Sequence, residues 1–220
     1  MKNTIYMLSL AVGLSGALVS CNDKKETTTE AEEVAQAEMT AASYTVDTEM
    51  STINWSGSKP TGTHTGTINI GNGEVAVNNE ALTAGTFMID MTSINVTDLE
   101  AGDGKENLEN HLMGTVEGKE GDFFNVNKYP TAKFEITSVE GEGMKQTVKG
   151  NLTMKEKTHN ISFPASITYN GDSMVLTSDE FVIDRTKWDV NYGSKSVFDN
   201  LGDKFISDDI KLTIELHAKK

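Results

Sequence analysis

The chain contains little from which metal, disulfide or nucleic-acid chemistry could be built. Its 220 residues include one cysteine, three prolines and four histidines, and aromatic residues make up only 7%. A single cysteine excludes an intramolecular disulfide, and the histidines, at positions 64, 111, 159 and 217, lack the spacing of metal ligands. With 33 acidic and 19 basic residues, the net charge of -14 argues against nucleic-acid binding, which needs a clustered basic surface. We therefore expect no metal, no cofactor and no nucleic acid.

Motifs for catalysis are also missing. The sequence has no G-x-S-x-G motif, no phosphate loop and no dinucleotide fingerprint. Ser56–Lys59 matches S-x-x-K, but neither S-D-N nor K-T-G follows. The stretch DLEAGDGKENLE fails as a calcium loop because Asp103 stands where the loop needs glycine. The sequence predicts a protein that is not an enzyme, with a hydrolase that uses an unrecognised carboxylate or serine site as the alternative.

The longest apolar run lies at the N-terminus. It follows Lys2, is too short and too early for a good membrane span, and ends in small residues, which is typical of a secretory signal over residues 1–20. The sequence LVSC, Leu18–Cys21, resembles the lipobox of bacterial lipoproteins, in which the cysteine is lipidated. We expect lipidation at Cys21 and an exported, envelope-anchored protein. The alternative is an ordinary export signal with a leftover thiol.

The residues after Cys21 indicate which membrane holds the anchor and predict a tether. Asn22, where Asp would suggest retention in an inner membrane, favours the outer membrane, and the periplasmic or surface face stays open. Residues 22–42 are rich in Glu, Thr and Ala and lack aromatics, so they offer too little apolar area to offset the entropy of ordering. We predict a flexible acidic tether over residues 21–43, with a short transient helix as the alternative, followed by one domain over residues 44–220.

The domain shows the alternation of apolar and polar residues that is typical of β-strands. Clear cases are Ile53 with Trp55, Phe87 with Ile89, and the stretch HNISFPASITY from His159 to Tyr169. About eight such strands, joined by short turns, predict an all-β, antiparallel, lipocalin-like barrel, with a sandwich as the alternative. Residues 92–131 lack sustained alternation, and we expect a short helical segment there, lying over one end.

Five stretches of the domain carry a resemblance to a known family. They are YTVDTEMSTINWSG, GTHTGTI, GDFFNVNKYPTAKFEITSV, VKGNLTMKEKTHNISFP and FVIDRTKWDVNYG, in this order between Tyr44 and Gly193. Together they resemble the YceI-like family of lipocalin-like polyisoprenoid-binding proteins. The resemblance implies an elongated apolar lumen that holds a long isoprenoid, of the quinone or polyprenyl phosphate type, for binding, storage or transport. The stretch KEKTH departs from the Gly-containing turn expected after LTM.

The candidate ligand-binding residues lie on inward faces of predicted strands or in the aromatic stretch before Phe134. They are Trp55, His64, Ile68, Phe87, Ile89, Phe123, Phe124, Tyr129, Phe134, Ile136, Leu152, Phe163 and Arg185. The aromatic residues either gate the lumen or only pack its end, and His64 is either inward-facing or structural. Arg185 needs a partner, which could be a carboxylate such as Asp47 or a ligand headgroup. An envelope scaffold with a filled barrel remains the alternative function, and the oligomeric state is open, a homodimer included.

Overall fold

Eleven strands make up most of residues 28–220, the part of the chain that this computed structural model describes. The strands are β1 (Thr29–Glu30), β2 (Ala42–Val46), β3 (Thr52–Lys59), β4 (Gly62–Asn78), β5 (Ala81–Val96), β6 (Thr131–Glu140), β7 (Lys145–Met154), β8 (Lys157–Asn170), β9 (Ser173–Ser178), β10 (Phe181–Asp184) and β11 (Asp209–Lys219). One α-helix, α1 (Lys105–Met113), and two short 3-10 helices, Arg185–Trp188 and Gly202–Lys204, complete this part. The predicted signal and Cys21 lie outside the described residues.

The sheet closes on itself as a ring of eight antiparallel strands. The ring follows the order β3, β4, β5, β6, β7, β8, β9 and β11, and β11 then pairs with β3. Strand β2 lies in line with β3, because it pairs with the same two neighbours, β4 and β11. Strand β10 lies in line with β9 and pairs with β11. The predicted antiparallel barrel is confirmed. Closure explains why the alternation runs through every long strand, because each has one face in the lumen.

The two ends of the barrel differ. One end, which we call the mouth, carries the β3–β4 turn, the β7–β8 turn, α1, the segment of residues 114–130 and a rim loop of residues 189–208. The other end carries short turns, such as that between β8 and β9, and residues 38–41, which lie beside Asn78. Helix α1 ends at Gly114, whose left-handed φ of 70° suits glycine and whose N–H donates to the carbonyls of Asn110 and His111. The predicted helical segment over one end is therefore confirmed.

Part of the segment that the sequence predicts as a flexible tether lies against the barrel. Strand β1 pairs with β8, with Thr29 opposite Asn160. The chain then crosses the outside of the barrel, where the Glu32 N–H donates to Asn151 Oδ1 (3.0 Å) and the Ala35 N–H donates to the Ile136 carbonyl (3.0 Å). Composition missed this attachment because it is made by backbone groups and buried amides rather than by apolar side chains.

We expect Asn151→Ala to lower the free energy of unfolding by about 1–3 kcal/mol, because it leaves buried partners unsatisfied. Asn151 is 5% exposed and donates to the Glu32 carbonyl (2.7 Å), and its Oδ1 also accepts from Asn160 (3.1 Å). Urea unfolding measures the loss, and proteolysis near residue 32 should accelerate. Asn54→Ala, which removes only an exposed hydrogen bond to Thr213, is the control. Equal losses in the two variants would contradict the attachment.

Candidate functional site

An apolar cavity of about 440 Å³ occupies the lumen on the mouth side. Along β11 its wall extends from Ile210 to Leu216, about 20 Å at about 3.3 Å per residue. The volume falls within the range of about 300–1,000 Å³ that is usual for small-molecule sites. The lumen of this barrel is therefore partly open rather than completely filled by its own side chains.

The far end of the lumen is filled. Side chains that are buried there but do not line the cavity include Tyr44, Val75, Val77, Leu82, Ile167 and Met174. Tyr44 is 7% exposed, and its hydroxyl donates to the Gly171 carbonyl in the β8–β9 turn (3.4 Å). The cavity thus has a closed bottom and one approach, which is from the mouth.

Four phenylalanines form a row along the cavity wall. The ring centroids of Phe87 and Phe134 are 6.2 Å apart, those of Phe134 and Phe163 are 5.8 Å apart, and Phe163 stacks on Phe181 at 4.6 Å. Gly150 lies directly behind this row, because a Cβ there would approach the Phe134 ring to 2.2 Å. The row gives the cavity a rigid aromatic side against which a slender apolar chain can pack.

Trp55 lies on the opposite part of the wall, over Gly66. A Cβ on Gly66 would come within 2.4 Å of the indole and 2.1 Å of the Asn95 carbonyl oxygen, so glycine is required for this close approach. The indole Nε1 is buried and has no hydrogen-bond partner among the described residues. Trp55 therefore offers the cavity both an apolar surface and an unused donor.

Two histidines line the cavity at its mouth, and each is held by a carboxylate. His64 Nδ1 lies 2.8 Å from Asp98 Oδ2, and His111 Nε2 lies 2.7 Å from Asp122 Oδ2. Burial raises the pKa of Asp98, but hydrogen bonds from the Thr65 N–H and from His64 outweigh it and hold this pKa below its usual value. His64 is thus both inward-facing and structurally bonded, so the two alternatives for it are compatible.

Arg185 reaches the cavity wall but is occupied by its own loop. Its guanidinium donates to the carbonyls of Ser207 (2.9 Å), Ile206 (3.2 Å) and Val190, and Nη2 lies 3.6 Å from Asp208 Oδ1. Burial lowers the pKa of Arg185, and the nearby Asp208 opposes this shift. Asp47, suggested as a partner, instead binds Lys219 (2.7 Å), because the two lie on the neighbouring ends of β2 and β11. The alternative that Arg185 binds a ligand headgroup is weakened, since the guanidinium already donates to three carbonyls.

The mouth loops are tied together by Lys155 in the β7–β8 turn. Its ammonium donates to the Phe123 carbonyl (2.7 Å) and to the Asp189 carbonyl (2.8 Å), and burial lowers its pKa. Phe123, 6% exposed, packs its ring against His111 and Tyr192 at centroid distances of 5.1 and 5.3 Å. The aromatic stretch of the sequence thus supports the rim of the cavity as well as touching its interior.

The structure brings twelve of the thirteen candidate residues to the cavity wall. They are Trp55, His64, Ile68, Phe87, Ile89, Phe123, Phe124, Phe134, Ile136, Leu152, Phe163 and Arg185. Tyr129 is the exception: it does not line this cavity, and its hydroxyl lies 3.3 Å from Glu156 on the outside, with Lys128 over its ring at 4.7 Å. Pro130 ends the irregular segment just before β6, and residue direction in such a segment follows no period of two.

Sequence reasoning missed the contribution of the rim loop. Tyr192, Lys204 and Ile206 all line the cavity, although their segment has neither alternation nor a helical period. The only signal in the sequence that could have indicated these three residues is that several apolar residues occur close together in this loop. They lie at the mouth because Arg185 binds the carbonyls at both ends of this loop.

Polar groups on the wall are concentrated at the mouth. They are Ser58, Lys59, His64, His111, Arg185, Tyr192, Lys204 and Ser207, and no carboxylate of the described residues joins them on the wall. The carboxylates of Asp98, Asp122 and Asp208 lie behind this wall, bonded to or facing His64, His111 and Arg185, so the two ammonium groups of Lys59 and Lys204 are the charges that remain on it. The cavity therefore combines an apolar interior with a polar entrance that carries two lysines.

Residues 28–220 contain no cluster of three or more His, Cys, Asp or Glu able to hold a metal ion. In the same part of the chain, the helices are too short or too polar to traverse a bilayer.

Comparisons with known proteins agree on the architecture. A family model described as the YceI-like domain matches residues 44–218. A UPF0312 protein of Pseudomonas aeruginosa (strain LESB58) is 38% identical over 63 residues, which is 29% of this chain. The match spans only 33% of the length of that curated relative.

Two solved structures share the fold at low sequence identity. BcnA of Burkholderia cenocepacia superposes with a TM-score of 0.60 at 19% identity, over 79% of this chain and 99% of its own. A polyisoprenoid binding domain from Saccharophagus degradans, implicated in plant cell wall breakdown, superposes with a TM-score of 0.55 at 13% identity, over 85% and 99% of the two chains.

Proposed function

The chain belongs to the YceI-like domain family, and we propose that it binds a long-chain isoprenoid lipid in the lumen of its barrel. The observation that carries the proposal is the apolar cavity of about 440 Å³ with a filled bottom and two lysines at its mouth. The description of the Saccharophagus degradans neighbour as a polyisoprenoid binding domain supports the same class of ligand. A scaffold with a completely filled barrel would not need this cavity.

The energetics of such a ligand are favourable without any catalytic group. If the tail buries about 400 Å² of its apolar surface, the gain at about 25 cal/mol per Å² is roughly 10 kcal/mol, before association costs of several kcal/mol. The phenylalanine row and the aliphatic wall from Ile210 to Leu216 would take the tail. Binding, storage or transport therefore fits the site better than catalysis, and we propose that the protein is not an enzyme.

The mouth suits the polar head of a quinone or a polyprenyl phosphate. Lys59 and Lys204 stand there on the cavity wall, and the ammonium group of neither forms a hydrogen bond or ion pair within the described residues. An ammonium donates strongly to a phosphate or a carbonyl oxygen. Among the two head types, this pair of cations favours the anionic polyprenyl phosphate.

We also propose that the protein is exported and held at the envelope by a lipid on Cys21, with the outer membrane as the site of anchoring. The support is the sequence alone, namely the apolar leader, the LVSC stretch and Asn22. An anchored barrel would hold its ligand close to the membrane from which an isoprenoid comes.

Tryptophan fluorescence and mass spectrometry test the binding proposal. Organic extraction of the purified full chain should release an isoprenoid, and the emptied protein should change its fluorescence on titration with menaquinone or undecaprenyl phosphate. Of the two tryptophans, Trp55 lines the cavity whereas Trp188 is 0% exposed and does not, so Trp55→Phe should remove the response. A protein that yields no isoprenoid and responds to neither probe would instead support the filled-barrel scaffold.

A further inference from the structure

We infer that the rim loop is a bilayer-contacting surface that places the mouth of the cavity on the membrane. The inference rests on the proposed lipid-binding function and on the proposed anchor at Cys21. It assigns to this loop a role separate from holding the ligand, namely the docking through which a lipid passes between bilayer and lumen.

The rim loop carries an exposed apolar patch, which we define as Tyr192, Val197 and Phe198. Their side chains are 41%, 47% and 49% exposed, and within the described residues the other large exposed apolar side chains are three methionines elsewhere on the surface. Exposed aromatic and aliphatic groups clustered beside a ligand entrance are typical of interaction sites. Tyr192 also lines the cavity, so one member of the patch stands at the mouth.

The patch is held in place rather than left free. Ser194 is 0% exposed, and its carbonyl accepts from the N–H groups of Phe198 (2.9 Å) and Val197 (3.3 Å). The Ile206 N–H donates to the Gly193 carbonyl (2.8 Å), which closes the loop. With Arg185 binding the carbonyls of Val190 and Ile206, both ends of the loop stay on the barrel, while residues 195–200, which include Val197 and Phe198, are exposed.

The chain before the barrel is long enough for a lipid on Cys21 to bring the mouth to the membrane. Thr29 pairs with Asn160, three residues from the mouth-side start of β8 and ten from its far end. These separations are about 10 Å and about 33 Å at about 3.3 Å per residue. Cys21 precedes Thr29 by eight residues, which span at most about 26–29 Å. A lipid on Cys21 can therefore reach the mouth, at which the rim loop stands.

The charge around the patch identifies the kind of contact. Lys195 and Lys204 flank it, but Asp199 and Asp203 lie in the same loop, and Lys195 already sits over the Phe205 ring at 4.5 Å. The two signs largely cancel, so burial of Val197 and Phe198 among the lipids must supply most of the attraction. The partner that fits is a phospholipid bilayer surface, with only a modest preference for anionic lipids.

Vesicle sedimentation tests the surface. We would use the full chain with Cys21→Ala, so that only the folded surface can bind, and vesicles of phosphatidylethanolamine and phosphatidylglycerol. Val197→Ser with Phe198→Ser should lower the partition coefficient about tenfold, because two half-buried apolar side chains are removed. The matched control, Met50→Ser with Met144→Ser, changes two residues that are 52% and 66% exposed and should bind like the parent.

Three further measurements distinguish this inference from the proposed lipid binding and from the proposed anchor at Cys21. In detergent, the variant with Val197→Ser and Phe198→Ser, the rim variant, should bind menaquinone like the parent, since neither changed residue lines the cavity. Transfer of menaquinone from vesicles into the rim variant should be about tenfold slower than into the parent. Failure of the parent to bind any isoprenoid probe would refute the binding function but leave vesicle partitioning as the test of the surface. Cell fractionation of a chain with Cys21→Ala, Val197→Ser and Phe198→Ser tests the anchor, because the chain with only the two rim substitutions keeps Cys21; equal retention of both in the membrane fraction would refute the anchor. Equal vesicle binding by parent and rim variant would overturn the inference itself.

Discussion

Arg185→Met is expected to lower the free energy of unfolding by about 3–5 kcal/mol, the range for removing one partner of a buried ion pair. Arg185 is 2% exposed and binds three loop carbonyls, all of which would lose their partner. Asp208 Oδ1, 3.6 Å from the guanidinium, has no hydrogen bond of its own within the described residues and would lose its cationic neighbour, while Oδ2 keeps the hydrogen bond from Ser196. Met fills a similar volume, so the loss reports on polar interactions rather than on a void.

Urea unfolding of the delipidated protein measures this loss. The control is Lys211→Met, which removes an exposed ion pair with Glu180 (2.9 Å) and should cost less than about 1 kcal/mol. Because Arg185 holds both ends of the rim loop, proteolysis within residues 195–200 should also accelerate. A variant as stable as the control would mean that the guanidinium serves a bound headgroup instead of the loop.

The strands could be predicted because their physical signal is strong. A closed barrel gives each strand one apolar face, so pairs such as Phe87 with Ile89, or Phe134 with Ile136, point into the same lumen. The positions at which glycine is required under an aromatic side chain are harder to predict. Nothing in the sequence says that Gly66 and Gly150 lie under aromatic rings, because that depends on the register between strands.

The irregular segments could not be predicted in the same way. Tyr129 and Phe123 belong to one aromatic stretch, yet Phe123 lies inside and Tyr129 outside, because no regular period fixes direction in a loop. Residues 29–41 look like a tether by composition, and only the positions of Asn151 and Asn160 on the outer face reveal where they attach. Long-range hydrogen bonds of this kind leave no local pattern in a single sequence.

Gly57→Trp is expected to weaken isoprenoid binding roughly 50- to 100-fold while leaving the barrel folded. Gly57 lines the cavity from β3, between His64 and Ile210 on the neighbouring strands, and a Cβ there would meet no atom within 4 Å. The indole can therefore enter the lumen without displacing the wall. If it removes the ligand from about 100 Å² of contact, the loss at about 25 cal/mol per Å² is about 2.5 kcal/mol.

Titration of the emptied protein with undecaprenyl phosphate measures the affinity, and thermal unfolding checks the fold. The control is Gly121→Trp, where a Cβ also meets nothing within 4 Å but the residue lies outside the cavity, so affinity should be unchanged. Since a residue other than glycine loses less backbone entropy in a strand, the Gly57 variant should be at least as stable as the parent. Undiminished affinity in a well-folded Gly57→Trp protein would place the ligand outside the lumen, whereas loss of affinity in this variant alone would locate the tail beside β3.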